Sequence, residues 1–374
     1  MKQRVLHLIG SNCIGGPEKQ ILHHAVSLQD SPYLIEIGSF HDQAEPPEIL
    51  EGAQQRNIPT VCLSGGVHLR LITELSSILR ARPGVLLCTH GFKANVVGYF
   101  AARRTGTRHI AFLRGWTAET ARVVVYEMLE RFVLSRAPFV VCVSRRQAEQ
   151  VARLRHGRSQ PIVIPNAIIP PWSRPHAPDA EPLEREALGI PSGAFVFGSV
   201  GRLSAEKGHR YMLDAFARAQ QLLVPQVPLY LIVVGDGREQ PALERMAAQS
   251  GLGHRIRFTG FQGNPGRWMR LFDCMVQPSL TEGTPNSVLE AFCLGVPVIA
   301  TAVGGVPDMI SHGDNGLLVP PRDAVSLATA MAQLVVDSRL RNRLASQMQQ
   351  TSSIYSPSVQ KESLLAVYRT ACAA

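Results

Sequence analysis

The sequence predicts an α/β protein of two doubly wound domains, each built on a parallel sheet. Three observations carry that expectation. Short β-branched runs alternate with longer helical patterns almost from end to end, the rhythm of strand-helix-strand units. A proline-rich stretch interrupts the rhythm once, after which it resumes at similar length. The chain has 374 residues, beyond the size at which a single core keeps growing.

The first domain spans residues 1–165. Strands are expected at Val5 to Ile9, Leu34 to Ser39, Thr60 to Leu63, Val85 to Cys88, His109 to Leu113, Phe139 to Val143 and Ile162 to Ile164, with helices between them. Gly15-Gly16-Pro17 opens the first helix, which carries Ile21, Leu22, Ala25 and Leu28 at helical spacing. Pro161, Pro165, Pro170, Pro171, Pro175, Pro178, Pro182 and Pro191 are too dense for either period, so residues 166–190 read as a linker. The second domain, residues 191–352, holds strands at Phe195 to Val200, Leu229 to Val234, Ile256 to Thr259, Cys274 to Gln277, Val298 to Thr301 and Leu317 to Val319. Residues 353–374 form a last helix, with Leu364, Leu365, Val367 and Tyr368 at helical spacing, and it could pack on either domain. Two such domains are expected to bind ligands where loops follow the carboxyl ends of strands, in a central cleft.

Composition excludes several classes. An apolar share of 45% and a charged share of 18% are those of a globular protein. Cys13, Cys62, Cys88, Cys142, Cys274, Cys293 and Cys372 are odd in number and scattered, with no C-x-x-C spacing, and read as buried thiols of a reducing compartment. The opening MKQRVLHLIG has too short an apolar run for a signal peptide. No stretch approaches the roughly 20 apolar residues of a spanning helix. The expected location is cytoplasmic. The net charge of +9 is concentrated: residues 100–160 hold twelve arginines against four glutamates. Without interleaved aromatics this does not suit nucleic acid. A solvated face, an anionic acceptor surface and a peripheral anionic membrane surface all fit it.

Two stretches carry chemistry. In FVFGSVGRLSAEKG, residues 195–208, a strand ends in glycine, and Arg202 and Lys207 follow in one short loop. A forked donor and a point charge at the mouth of a parallel sheet suit a diphosphate. The turn at Gly235-Asp236-Gly237 follows another strand. In TEGTPNSVLEAFCLGVPVIAT, residues 281–301, Thr284 reads as N-cap, Pro285 as the first helical residue and Gly295 as the residue past the helix end. Glu282 then lies in the loop before the helix and Glu290 inside it, while the amides of Asn286 and Ser287 favour an anion. Two carboxylates near a diphosphate site suggest a nucleotide sugar, one for ribose and one for hexose hydroxyls. Exposed helix glutamates would explain the spacing alone equally well.

The ordered set GGPEKQ, IPNAI, GRLSAEKG, VVGDG, RIRFTGF and PSLTEGTPNSVLEAFCLGVPVIATAVGGVPDMISHGDNGLLVPPRD resembles glycosyltransferase family 4, densely over residues 193–322 and thinly over the first domain. The resemblance implies the GT-B fold and a retaining, metal-independent transferase. It would move a hexose from a uridine or guanosine diphosphate sugar to a glycan or lipid-linked, lipopolysaccharide-type acceptor. It further implies that Arg202 and Lys207 hold the diphosphate, Glu290 the ribose and Glu282 the hexose. Gly16 would let the first loop approach the donor phosphate. Arg257 to Gly260, with Phe258, would meet the base, and Gly235 and the turn Gly283-Thr284-Pro285-Asn286-Ser287 would complete the donor site. No cofactor or metal is expected, and the sequence has no Asp-x-Asp element.

Two positions bear on the first domain. Where many members carry a histidine after the fifth strand, this chain has Arg114, a candidate for a phosphate or an anionic acceptor, or else a solvated cation; His90 resembles another family histidine on the acceptor side, and a satisfied core or rim histidine explains it as well. The family's IPNG turn is here Ile164-Pro165-Asn166-Ala167. A hydrolysing nucleotide-sugar epimerase, which would release nucleotide without an acceptor, and a non-catalytic carbohydrate-binding protein share the architecture. Turnover that depends on Glu282 or Glu290 separates an enzyme from the second.

Overall fold

The structure, a computed structural model, describes residues 2–10, 14–41, 46–116, 121–169, 183–223 and 227–373. It divides into two compact units, Met1–Ala167 with Pro357–Ala374, and Ile168–Ser356.

Unit 1 runs β1 (Gln3–Ile9), α1 (Gly16–Ser27), β2 (Tyr33–His41), α2 (Glu48–Gln54), β3 (Thr60–Ser64), α3 (His68–Arg80), β4 (Leu86–His90), α4 (Phe92–Thr105), β5 (Arg108–Leu113), α5 (Ala121–Arg136), β6 (Phe139–Cys142), α6 (Arg145–Leu154) and β7 (Ile162–Val163). The strands pair in parallel in the order β3-β2-β1-β4-β5-β6-β7, so the winding reverses between β1 and β4. Both faces are covered, which is why the strands read as continuous apolar runs. In β1, Val5 and Ile9 pack on one side with Ile21, Leu22 and Ile37, while Leu6 and Leu8 pack on the other with Leu71, Leu75 and Val97. Each such leucine or isoleucine contributes about 2 kcal/mol on burial. His7 lies between Val5 and Ile9 on the period of two, and so enters the core.

Unit 2 runs β8 (Phe195–Val200), α7 (His209–Leu223), β9 (Leu229–Val234), α8 (Gln240–Gln249), β10 (Ile256–Phe258), α9 (Pro265–Met269), β11 (Cys274–Gln277), α10 (Asn286–Leu294), β12 (Val298–Thr301), α11 (Val306–Met309), β13 (Leu317–Val319), α12 (Ala324–Val336) and α13 (Ser338–Ser352). Its parallel order is β10-β9-β8-β11-β12-β13, with the reversal between β8 and β11. A last helix, α14 (Pro357–Ala373), belongs to unit 1, where Leu364, Val367, Tyr368 and Ala371 are buried with Val5, Ile37, Leu86 and Ile110.

Every expected strand is present, within a residue or two at the ends. Of the thiols, Cys88, Cys142 and Cys274 are buried, but Cys62 is exposed, because alternation along the edge strand β3 turns it outward. Cys13 and the prolines from Pro170 to Pro182 lie outside the described residues. Residues 183–190 pack on unit 2: Arg185 donates to the Leu271 carbonyl at 2.6 Å, and Ile190 is fully buried.

Candidate active site

The reversal between β8 and β11 places two loops side by side in unit 2, and both chemical motifs lie in them. The loop after β8 is fixed by its backbone: Gly201 N–H donates to Val234 O at 3.0 Å, and Leu203 N–H to Asp236 O at 2.6 Å. It then makes a short 3-10 turn, Ala205–Lys207, that ends on Gly208 with φ +67°. A side chain at Gly208 would strike the Pro278 carbonyl in the loop after β11, so glycine is what lets the two loops close. Leu280 N–H ties them again by donating to Glu206 O at 2.7 Å.

That closure brings Lys207 to Glu282, with Nζ 2.7 Å from Oε1. The same oxygen accepts from Gln277 Nε2 at 2.7 Å and Ser279 Oγ at 2.6 Å. Gln277 and Ser279 are buried, and Ser287 Oγ donates to Gln277 Oε1 at 3.1 Å, fixing the amide's orientation. Three donors on one carboxylate oxygen set Glu282 in a single geometry. Arg202 is different: its side chain is 62% exposed and reaches Glu206 Oε1 at 3.3 Å, while Ser204 Oγ holds the same oxygen. It stands at the mouth of the loop, more exposed than Lys207.

The structure corrects one sequence expectation here. The N-cap of α10 is Pro285, extended at φ −68° and ψ 120°, and the first helical residue is Asn286. Proline carries no N–H, so the helix opens with the amides of Asn286 and Ser287 near the loop that bears Glu282. Glu290 is half-buried one turn further on, while Val288, Leu289, Ala291 and Phe292 face the core. Gly295 ends the helix at φ +68°, as expected. The backbone of Glu282 is pinned from α11's side: a side chain at Gly304 would meet its carbonyl, and Gly305 N–H donates to Gly283 O at 3.0 Å.

Gly235 and Phe258 join the same sheet edge. Phe258 pairs with Val233, Gly235 N–H donates to Gly260 O at 2.9 Å, and a side chain at Gly235 would strike Gly201. Arg202, Lys207, Gly235, Phe258, Glu282, Gly283, Thr284, Pro285, Asn286, Ser287 and Glu290 therefore lie on loops and helix starts at one end of one sheet.

In unit 1, the reversal between β1 and β4 has its own polar cluster. Gly16 opens α1, where Glu18 accepts from the Gly15 N–H at 2.9 Å. His90 is the last residue of β4, which runs two residues beyond its expected end. Arg114 follows β5 and is turned inward: Nε and Nη2 lie 3.3 and 3.1 Å from His90 Nδ1, and Nη1 lies 3.1 Å from Asn166 Oδ1. His90 Nε2 is 2.8 Å from His7 Nδ1, and His7 Nε2 is 2.7 Å from Tyr368 Oη. Burial pulls Arg114 down to about 10, opposed by the Glu18 carboxylate, so the guanidinium keeps its charge at neutral pH. Burial, with the charge of Arg114 behind it, pushes His7 down to about 3, and it holds His90 and His24 well below the usual histidine range. The Asn166 turn is locked by Gln20, which exchanges bonds of 2.7 and 3.0 Å with Ala167, and by Gln360, which donates to Pro165 O at 2.8 Å. Sequence reasoning missed His7, Gln20, Gln360 and Tyr368. The one available signal was a histidine in the middle of an apolar strand.

The arginine-rich segment divides. Arg155 is buried and holds the carbonyls of Leu134 and Ala137 at 2.6 and 2.9 Å, a structural task. Helix α5 is inverted: Glu127 and Glu130 are buried, while Val124, Val125, Met128, Leu129 and Phe132 are exposed. Asn95 and Trp116 donate to Glu130 at 2.6 and 2.8 Å, yet its burial lifts the carboxyl to about 7. Val133 and Leu134 are buried. Among the described residues no helix is long and apolar enough to cross a membrane.

Two parallel-sheet α/β units of seven and six strands, with the likeness to a solved glycosyltransferase-type structure given below, are the GT-B fold. Family comparison agrees. The Glycosyl transferases group 1 model matches residues 180–351, and the Glycosyl transferase 4-like domain model matches residues 15–167. Both matched stretches are thus assigned to glycosyltransferase families, whose members are enzymes. It is 35% identical over 169 residues to the lipopolysaccharide core biosynthesis glycosyltransferase LpsE of Rhizobium meliloti (strain 1021), covering 45% of this chain and 48% of that one. The match thus spans about half the length of that relative. Identity to the 2-deoxystreptamine glucosyltransferase of Streptomyces kanamyceticus is 29%, covering 71% of this chain and 72% of that one. Among solved structures, Anabaena Alr3699/HepE in complex with UDP shares the fold with a TM-score of 0.82 at 23% identity, covering 99% of this chain and 100% of that one.

Proposed function

We propose that this chain is a retaining, metal-independent hexosyltransferase. It takes a nucleoside diphosphate sugar, with UDP as the carrier, and glycosylates a hydroxyl of a glycan or lipopolysaccharide-type acceptor. The observation that carries the reading is the Lys207–Glu282 pair at 2.7 Å, held by Gln277 and Ser279 beside Arg202. In a nucleotide sugar the β-phosphate and the hexose hydroxyls are neighbours. A cation and a hydroxyl-accepting carboxylate that touch in the free protein can separate onto those two neighbours without rebuilding the loop. Lys207 and Arg202 then take the developing charge of the leaving diphosphate, the work a metal would otherwise do. Glu282 orients the hexose, and Glu290, a turn into α10, takes the ribose hydroxyls. Gly235 and the strand end at Phe258 border the base, and the amides of Asn286 and Ser287 add to the anion site. The UDP and UDP-glucose complexes of Alr3699/HepE support the choice of carrier.

Unit 1 would take the acceptor, with Arg114 presented to an anionic group on it; the lipopolysaccharide role in the name of the Rhizobium relative supports that class. The inverted helix α5, with its outward Val125, Met128 and Phe132 beside the exposed Arg131 and Arg136, fits a peripheral anionic membrane surface. Glu282→Gln keeps the shape and removes the charge. It should lower kcat with UDP-glucose by about a hundredfold, the scale of losing one positioned charged group, in a protein that remains folded by circular dichroism though less stable for the loss of the Lys207 pair. Unaltered turnover would refute the assignment.

A further inference from the structure

An arginine can only donate hydrogen bonds. Because two nitrogens of Arg114 point at His90 Nδ1, that atom must accept, and a neutral imidazole then carries its proton on Nε2. That proton points at His7 Nδ1, 2.8 Å away, which must accept in turn. His7 therefore also carries its proton on Nε2 and donates it to Tyr368 Oη at 2.7 Å. One direction of donation runs from β5 through β4 and β1 to α14, and His90, His7 and Tyr368 are all at most 1% exposed. The same helix reaches Arg114 by a second route, since Gln360 bonds Pro165 and Gln20, which hold the turn that presents Asn166. Among the described residues, the partners that hold the guanidinium are the neutral acceptors His90 and Asn166. Neutral acceptors orient the fork, while the nearby Glu18 carboxylate favours its charged form.

We propose that Tyr368 is a positioning residue for Arg114, acting through His7 and His90, so that α14 sets the orientation of the anion-binding guanidinium in unit 1. The proposal rests on the reading of Arg114 given above.

Nitrogen NMR of the full-length protein labelled at histidine and arginine tests it. His7 and His90 should both appear as neutral Nε2–H tautomers, with a coupling across the His90–His7 hydrogen bond. An Nδ1–H tautomer on either ring overturns the relay, and this needs no variant. Tyr368→Phe should speed exchange of the Arg114 Nε–H about tenfold and lower kcat for UDP release from UDP-glucose in the presence of a phosphorylated lipopolysaccharide-core acceptor about tenfold, the scale of one buried hydrogen bond, with KM for UDP-glucose within twofold. In an Arg114→Lys background, which has no fork to orient, Tyr368→Phe should cost nothing more. An equal loss in both backgrounds would show a merely structural tyrosine. If Arg114→Lys itself leaves turnover unchanged, the role of Arg114 fails while the tautomers can still be as described; if only Tyr368→Phe is silent, the relay fails.

Discussion

Lowering the pH from 7.5 to 5.0 should loosen unit 1 well before unit 2. A histidine that stays neutral in the native state loses stability as pH falls below its unfolded value of 6.5, at about 1.4 kcal/mol per pH unit. His7 and His109, held down to about 3 by burial, are both still neutral at pH 5.0, and each forfeits about 2 kcal/mol. His24 and His90, also held well below 6.5 by burial, lose stability in the same direction. Glu130 works the other way. Its carboxyl is raised to about 7, so its contribution is full below the unfolded value and lost as pH rises through 7. Acidification therefore returns about 2 kcal/mol. His7 and His109, less Glu130, give unit 1 a net loss of about 2 kcal/mol, and His24 and His90 add to it. In unit 2 only His209, held at about 4 by burial with Lys207 nearby, contributes about 2 kcal/mol among the histidines with shifted values. Hydrogen exchange read by mass spectrometry at both pH values separates the units. Equal or greater loss of protection in residues 195–352 would refute the reasoning, as would protonated His7 in the folded protein at pH 5.0.

Other outcomes follow from the same geometry. Gly208→Ala places a methyl at φ +67° against the Pro278 carbonyl, and should destabilise unit 2 by about 3 kcal/mol in urea unfolding. Chelation with EDTA should leave UDP-glucose turnover within about 20% of its starting rate if Arg202 and Lys207 neutralise the diphosphate; loss restored by a divalent ion would reverse that assignment. Met128→Asp, on the outer face of α5, should lower co-sedimentation with anionic vesicles about fivefold while the melting temperature moves little.

The strands were legible because both sheets are covered on both faces, so each strand is a short apolar run that periodicity can find. The residues proposed for the donor were picked out singly, from glycines at strand ends and from the company of Arg202, Lys207, Glu282 and Glu290. Their pairing was not. Lys207 and Glu282 lie 75 positions apart, and what joins them is the adjacency of β8 and β11, a property of topology that no spacing encodes. His7 and Tyr368 lie 361 positions apart and escaped for the same reason. The first helical residue of α10 was misplaced by one, because proline fits both the N-cap and the position after it. Helix α5 gave little away, since burying Glu127 and Glu130 reverses the usual relation between polarity and side.

The placement of α14 also dictates an order of events at the ribosome. Leu364, Val367, Tyr368 and Ala371 fill the core beside β1 and β4, yet they are translated after all of residues 168–356. The half of the protein made first cannot close until the half made second has emerged. A released chain ending at residue 356 would hold a complete second unit beside an open first one, with Val5, Ile37 and Ile110 lacking the helix that covers them.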